Sequence, residues 1–205
     1  SLYDSKSGER GIYNSMSAQR TVERLNGRYR DGNGDHIRRR DAREDFGTNP
    51  CSEIILRSRE FCNLSEVVVR RRDTRESLKA KVKHATILGT FQSTLTEFKY
   101  LSREWKRNCD EERLLGVSLT GIMDNPLTNG SKNGLKELLE ELRDVAYETN
   151  KEWADRLGIP HAAAITCVKP SGTVSQLVDS ASGSHARHNP FYIRTVRADN
   201  KDPLC

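Results

Sequence analysis

Apolar residues are scarce in this chain of 205 residues: they make up 35% of it, aromatics only 6%, and mean hydropathy is −0.75. A core can form, but a thin one, in one large domain or two small ones. No apolar run approaches the length that crosses a bilayer, and Ser1-Leu2-Tyr3-Asp4 lacks the basic-then-apolar order of a signal peptide. These absences lead to the expectation of a cytoplasmic protein with no membrane partner. The five cysteines, Cys51, Cys62, Cys109, Cys167 and Cys205, include no CxxC pair and share no regular spacing. That excludes a secreted disulfide scaffold and a structural zinc site. His185 and His188 stand three apart but among Gly183, Asn189 and Pro190, a loop setting, so no metal is expected. Internal repeats and low-complexity segments are also missing.

What is present is positive charge, +5 with pI near 9.0, concentrated in Arg38-Arg39-Arg40 and Arg70-Arg71-Arg72. Neither run is interleaved with aromatics for base stacking, which disfavours a nucleic-acid partner and favours solvated faces or contacts with neighbouring chain. Ser7-Gly8-Glu9-Arg10-Gly11 is a turn signal, Ile12-Tyr13 a short extended piece, and a helix is predicted over Ser17–Leu25. Asn26 to Asp45 reads as a long polar loop. Short strands are predicted at Glu53–Leu56 and Val67–Val69. From Thr74, apolar residues recur at helical steps from Leu78 through Val82, Ala85, Leu88, Phe91 and Leu95 to Phe98. A strand follows at Leu114–Leu119, then a helix from Leu135 past Trp153 to a stop at Gly158 and Pro160, then a strand at Ala162–Val168. Strands alternating with helices imply parallel pairing through crossovers, hence an α/β fold.

Asn49-Pro50-Cys51-Ser52-Glu53 sets a thiol between an amide and a carboxylate. In extended chain Asn49, Cys51 and Glu53 would share one face. With no histidine or cation beside Cys51 to lower its pKa, the pattern points to redox or radical chemistry in place of a papain-like nucleophile. A second cysteine follows in Phe61-Cys62-Asn63-Leu64-Ser65-Glu66. Pro170-Ser171-Gly172-Thr173-Val174 leaves an apolar strand with hydroxyls and a glycine suited to an anionic phosphate, although Lys169 precedes the glycine and no P-loop ending is present. Each signal has a bland reading, as a loop thiol, a core cysteine and an N-cap turn.

Taken together, Gly47-Thr48-Asn49-Pro50-Cys51-Ser52-Glu53-Ile54, Cys62-Asn63-Leu64-Ser65-Glu66-Val67, Gly116-Val117-Ser118-Leu119-Thr120-Gly121-Ile122-Met123-Asp124 and Val168-Lys169-Pro170-Ser171-Gly172-Thr173-Val174 resemble the catalytic subunit of ribonucleotide reductase. The wording Lys-Pro-Ser-Gly-Thr-Val is most similar to the adenosylcobalamin-dependent class. The resemblance implies part of a ten-stranded α/β barrel with the catalytic cysteine on an internal loop, residues 1–46 being a connecting segment and 47–205 the central, incomplete part of the barrel. It implies that Cys51 becomes a thiyl radical in a dry, enclosed site and removes the ribose 3′-hydrogen. Glu53 would be general base for the 3′-hydroxyl, Asn49 would hold the sugar hydroxyls, and Cys62 would be half of a redox-active dithiol whose partner lies outside this chain. Asn49 to Glu53 and Pro170 to Val174 would bind substrate, the latter at its phosphates.

By the same resemblance the partners are a ribonucleotide, nucleotide effectors, an external dithiol reductant such as thioredoxin, and the missing parts of the same enzyme. Most adenosylcobalamin contacts would lie in those parts. Ser1 in place of an initiator methionine and the ending Asp202-Pro203-Leu204-Cys205 lead to the expectation of a fragment. Cys109, Cys167 and Cys205 match no catalytic motif of the family and are expected to be structural. Ser7-Gly8-Glu9-Arg10-Gly11 is similar to a Gly-Glu-Pro-Gly element, with Arg10 in place of proline. Two competing readings are the iron- or manganese-dependent class, which needs a separate radical-generating subunit, and a basic nucleic-acid-binding module built on the arginine runs.

Overall fold

In the computed structural model the described residues are 2–6, 11–26, 39–193, 195 and 197–203. The turn expected at Ser7–Arg10, most of the polar loop, Arg38 and Cys205 lie outside them. In chain order the elements are α1 (Leu2–Ser5), α2 (Ser15–Asn26), β1 (Phe46–Thr48), β2 (Ile55–Arg57), β3 (Asn63–Val68), α3 (Arg75–Gln92), α4 (Arg103–Glu112), β4 (Leu115–Thr120), a 3-10 turn (Ile122–Asp124), α5 (Leu135–Leu157) and α6 (Val174–Leu177). Ile12-Tyr13, expected to be extended, forms no strand.

β4 is the spine of the molecule. β3 lies beside it in parallel, from Asn63↔Leu115 to Val68↔Thr120, and the segment after α5 lies on its other side, also parallel, at Val117↔Thr166. The expected strand at 162–168 is reduced to that bridge for a local reason. Leu115 and Val117, two residues apart in β4, donate their amides to Ala164 and Ile165, which are adjacent. This one-residue slip interrupts the ladder. The parallel order deduced from alternating strands and helices is present, but among the described residues the two small sheets do not close into a barrel.

The two faces of this unit differ in chemistry. On one, Val67, Val69, Leu115 and Val117 pack against Leu78, Val82 and Ala85 of α3 and Leu138, Leu142 and Ala146 of α5, forming the main core. The opposite face carries Cys62, Leu64, Leu114 and Cys167 under Ile54. α3 starts at a capping box in which Thr74 Oγ1 accepts from Ser77 N and Ser77 Oγ accepts from Thr74 N. It stops near Ser93 and does not run on to Phe98. The hydroxyls of Thr86, Thr90, Ser93 and Thr94 each bond a carbonyl three or four residues back, competing with the helical ladder, and Leu95 is left 72% exposed. α5 ends where expected, at a left-handed Gly158. α4 carries no apolar periodicity in the sequence, because Arg103–Glu112 is almost wholly polar. Phe61, stacked 4.5 Å from Trp105, helps hold it in place.

Candidate active site

β1 and β2 form an antiparallel hairpin, Phe46↔Arg57 to Thr48↔Ile55, and Asn49 to Ile54 make its tip. Pro50 favours a turn, which Ser52 completes in the left-handed region (φ 64°) with its amide donating to Asn49 O at 2.9 Å. Asn49 closes the loop from both ends. Its Oδ1 accepts from Ile54 N at 3.0 Å and its own amide donates to Ile54 O at 3.3 Å. The expectation of an extended 48–54 segment with three side chains on one face is therefore corrected: proline and the left-handed serine make a turn. Cys51 stands exposed at this tip, so these residues alone do not supply the dry enclosure expected around it. Glu53 is half-buried, and its Oε2 is buried with no hydrogen-bond partner.

Glu53 faces two thiols. The sulfurs of Cys62 and Cys167 lie 3.3 and 3.2 Å from the point where a Cβ on Gly116 would sit, with Leu64 Cδ2 at 2.5 Å. Glycine at 116 makes room for both. Burial pushes the Cys62 thiol well above its ordinary value, with Cys167, Glu60 and Glu53 adding to the rise; burial likewise pushes Cys167 up to about 12, with Glu53 contributing. Both are therefore neutral thiols at physiological pH. The sequence leads to the expectation of a structural role for Cys167; the structure brings its thiol beside that of Cys62. The signal was in the spacing: Cys167, Lys169 and Ser171 alternate, and Lys169 and Ser171 meet Glu66 of β3.

Glu66 anchors the Pro170–Val174 segment. It accepts from Lys169 Nζ, from Ser171 Oγ at 2.5 Å and from Thr120 Oγ1 at 3.0 Å, while Lys169 N donates to Ser118 Oγ at 2.9 Å. Burial raises the Glu66 carboxyl, but these three donors outweigh it and hold the group below its ordinary value. Ser171 is buried with φ 53°, so its hydroxyl is committed to Glu66, unlike the free phosphate ligand expected from sequence. Gly172, Thr173 and Val174 point outward, and Gly172 has open space around its Cβ position. Behind the segment, Gly183 N donates to Pro170 O at 2.9 Å, and a Cβ on Gly183 would collide with the Lys169 carbonyl.

The described arginines of the first run turn inward. Arg39 Nη2 donates to Glu111 O and His161 O, and Arg40 is 5% exposed, paired with Glu112 at 2.7 Å and Glu60 at 3.5 Å. Arg57 joins this network through Glu112 at 2.9 Å. Burial is the main cause that pushes Glu112 up to about 8 and raises Glu60, and the charge of Glu60 adds to the rise at Glu112. In the second run, Arg70 donates to Val178 O and Asp179 O. Cys109 is buried, its sulfur accepting from Phe61 N at 3.4 Å. No group of three metal-binding side chains occurs among the described residues.

No family model matches the chain. Among curated proteins it is 29% identical to the adenosylcobalamin-dependent ribonucleoside-triphosphate reductase of Lactobacillus acidophilus, over 96% of this chain and 28% of that protein. It is 30% identical to the enzyme of the same name from Euglena gracilis, over 92% of this chain and 24% of that protein. The chain is a homologue of adenosylcobalamin-dependent ribonucleoside-triphosphate reductases. It spans about a quarter of the length of these reductases. A crystal structure of a B-12 dependent (class II) ribonucleotide reductase superposes with a TM-score of 0.60 at 22% identity, covering 84% of this chain and 29% of that one, a likeness of fold.

Proposed function

We propose that this chain carries the central part of the catalytic barrel of an adenosylcobalamin-dependent ribonucleotide reductase, residues 47–205 contributing to the barrel and 1–46 leading into it. The observation that carries this reading is the buried, unpaired Glu53 Oε2 on the sheet face that holds Cys62 and Cys167. A buried carboxylate oxygen without a donor is costly, and a ribose hydroxyl would supply the donor. An apolar groove of about 700 Å³ along α5 and Thr166–Val168 supports the view that further chain of the enzyme packs here. No helix among the described residues is long and apolar enough to cross a membrane, and a cytoplasmic setting suits the proposed supply of deoxyribonucleotides for DNA synthesis.

Cys51, exposed at the hairpin tip, fits a thiol that must be reached by a radical source lying mainly outside these residues. The chemistry adenosylcobalamin supplies when bound is homolysis of its cobalt–carbon bond. Cys51 carries the unpaired electron to the ribose by removing the 3′-hydrogen, and gives that hydrogen back to C3′ once the sugar is reduced, recovering the unpaired electron. Glu53 takes the 3′-hydroxyl proton and Asn49, already bonded across the turn, holds the sugar at the tip. Cys62 and a second thiol give two electrons and two hydrogens: the 2′ C–O bond breaks, its oxygen leaves as water, and the sulfurs join as a disulfide. An external dithiol such as thioredoxin restores them. Gly172, Thr173 and Val174 offer outward backbone to the substrate phosphates, and Ser171 acts through Glu66 to shape that turn.

The relatives' names favour the cobalamin class over the iron- or manganese-dependent one, and a triphosphate substrate. The inward Arg39 and Arg40 and the engaged Arg70 weigh against a nucleic-acid module. The test is reduction of a ribonucleoside triphosphate by the intact enzyme with adenosylcobalamin, a dithiol and no second subunit. Cys51→Ala is expected to abolish turnover while leaving nucleotide binding in place. Deoxynucleotide formation by Cys51→Ala at the wild-type rate would overturn the reading.

A further inference from the structure

The sequence places the parts of the site on three separate segments: the hairpin tip, the start of β3 at Cys62, and β4 at Gly116. The buried charge network touches the base of each. Arg57 ends β2, Glu60 lies two residues before Cys62, and Glu112 ends α4 four residues before Gly116. Arg40 adds a guanidinium from the segment before β1, packed 4.8 Å from the Phe46 ring and donating to Ile55 O at 3.0 Å. Glu60 Oε2 accepts from Arg57 N at 2.8 Å, and Arg57 Nη2 donates to Asn108 O at 3.1 Å. The side chains of Arg40, Glu60 and Glu112 are at most 2% exposed.

We propose that Arg40, Arg57, Glu60 and Glu112 form a positioning clamp, centred on Glu112, that fixes the Cys51 hairpin relative to Cys62. This rests on the catalytic reading of those two cysteines. A buried ion network contributes little net stability against an apolar substitute, but it rejects arrangements in which any member lacks its partner. That property suits a part whose task is to set geometry. The network also reaches the thiol by its field: at Cys62 the Glu60 charge and the Arg40 charge act in opposite directions.

Around the two carboxyls stand Arg40 and, nearer the rim, Glu44 from the segment before β1, Arg57 from β2, Cys109 and Glu111 from α4, and Cys62 at the start of β3. The Glu60 charge adds to the rise at Glu112. Because burial raises both above the ordinary 4.5, the closed clamp is favoured at low pH, weakens as pH rises above that value, and the loss is complete near the folded value of Glu112, about 8.

Hydrogen exchange of the intact enzyme, followed by mass spectrometry, tests the clamp at Asn49–Ile54, where the Ile54 amide is bonded to Asn49 Oδ1. Glu112→Ala is expected to lower protection there by about tenfold or more with α3 and α5 unchanged, while Glu112→Gln, the isostere of the protonated acid, stays within about twofold of wild type. In wild type the protection factor falls as pH rises above the ordinary carboxyl value of 4.5 and levels off near about 8, and Glu112→Gln removes that dependence. In turnover, Glu112→Ala lowers kcat with KM for the triphosphate little changed, since the phosphate turn hangs on Glu66.

Unchanged protection at the tip in Glu112→Ala, an equal loss in α3 and α5, or Glu112→Gln behaving as Glu112→Ala would overturn the proposal. If Glu112→Ala does not fold, Arg57→Lys, which keeps the charge but loses the fork, is read in the same way. Turnover surviving in Cys51→Ala would defeat the catalytic reading and leave the exchange result on the clamp standing.

Discussion

Replacing Gly116 by alanine adds one carbon at the most crowded point of the thiol face. That carbon would meet Leu64 Cδ2 at 2.5 Å and the Cys167 and Cys62 sulfurs at 3.2 and 3.3 Å. The leucine methyl is the end of a flexible side chain and can rotate away. The sulfurs must give by a few tenths of an ångström each, in a face packed beneath Ile54 and Leu114. Overpacking of this kind costs about 1–3 kcal/mol, and alanine in place of glycine within a strand returns about 0.5–1 kcal/mol of chain entropy. The net expectation is a loss of about 1–2 kcal/mol, a fall of roughly 2–8 °C in Tm for a chain of this size. Urea unfolding of wild type, Gly116→Ala, Cys167→Ala and the double variant measures it. In the double variant one sulfur is gone, so the glycine substitution is expected to cost about half as much there, a coupling of about 0.5 kcal/mol or more. Gly116→Ala as stable as wild type, or strict additivity of the two changes, would refute the convergence of both thiols on Gly116.

Two other measurements address the thiols and the carboxyl anchor. At pH 8, iodoacetamide is expected to label the exposed Cys51 at least about ten times faster than Cys62, Cys109 or Cys167, whose burial holds them as thiols, and equal labelling of Cys62 would contradict that placement. Glu66 and Asp73 titrate below their ordinary 4.5 and 3.8, so their contribution is present above those values and is lost as pH falls through the lower folded ones; urea midpoints should drop between pH 5 and roughly pH 3, and Glu66→Gln should flatten that drop.

Much of the fold was legible because its signals are local. The helical spacing from Leu78, the Gly158-Pro160 stop and the β-branched Val67–Val69 each act within a few residues, and the structure has α3, α5 and β3 there. α4 was invisible to apolar periodicity because its tertiary anchors are single residues, Trp105 and Cys109. The α3 stop lay in Thr and Ser hydroxyls that bond backward, a competition that apolar spacing does not register. At the site, motif order singles out Asn49–Glu53, Cys62 and the Pro170 segment as candidates but not the hairpin turn, while Cys167 and the Arg40–Glu112 network depend on register between distant strands. Cys167 lies more than 100 residues beyond Cys62, and only the pairing of both flanking segments with β4 brings them to one glycine.

The parallel alignment of β3 also makes the chain a measuring stick. Cys62 and Glu66 are separated by four residues and point to the same side, so strand rise places their backbones about 13 Å apart. One end of that interval carries the Cys62 thiol and the other the carboxylate on which the Pro170–Val174 turn hangs. A shift of one residue between them would turn one of the two to the helix-packed face; a shift of two would keep both in place but change the span by about 7 Å. The count Cys-Asn-Leu-Ser-Glu thus encodes a length, and any molecule that touches both ends must match it.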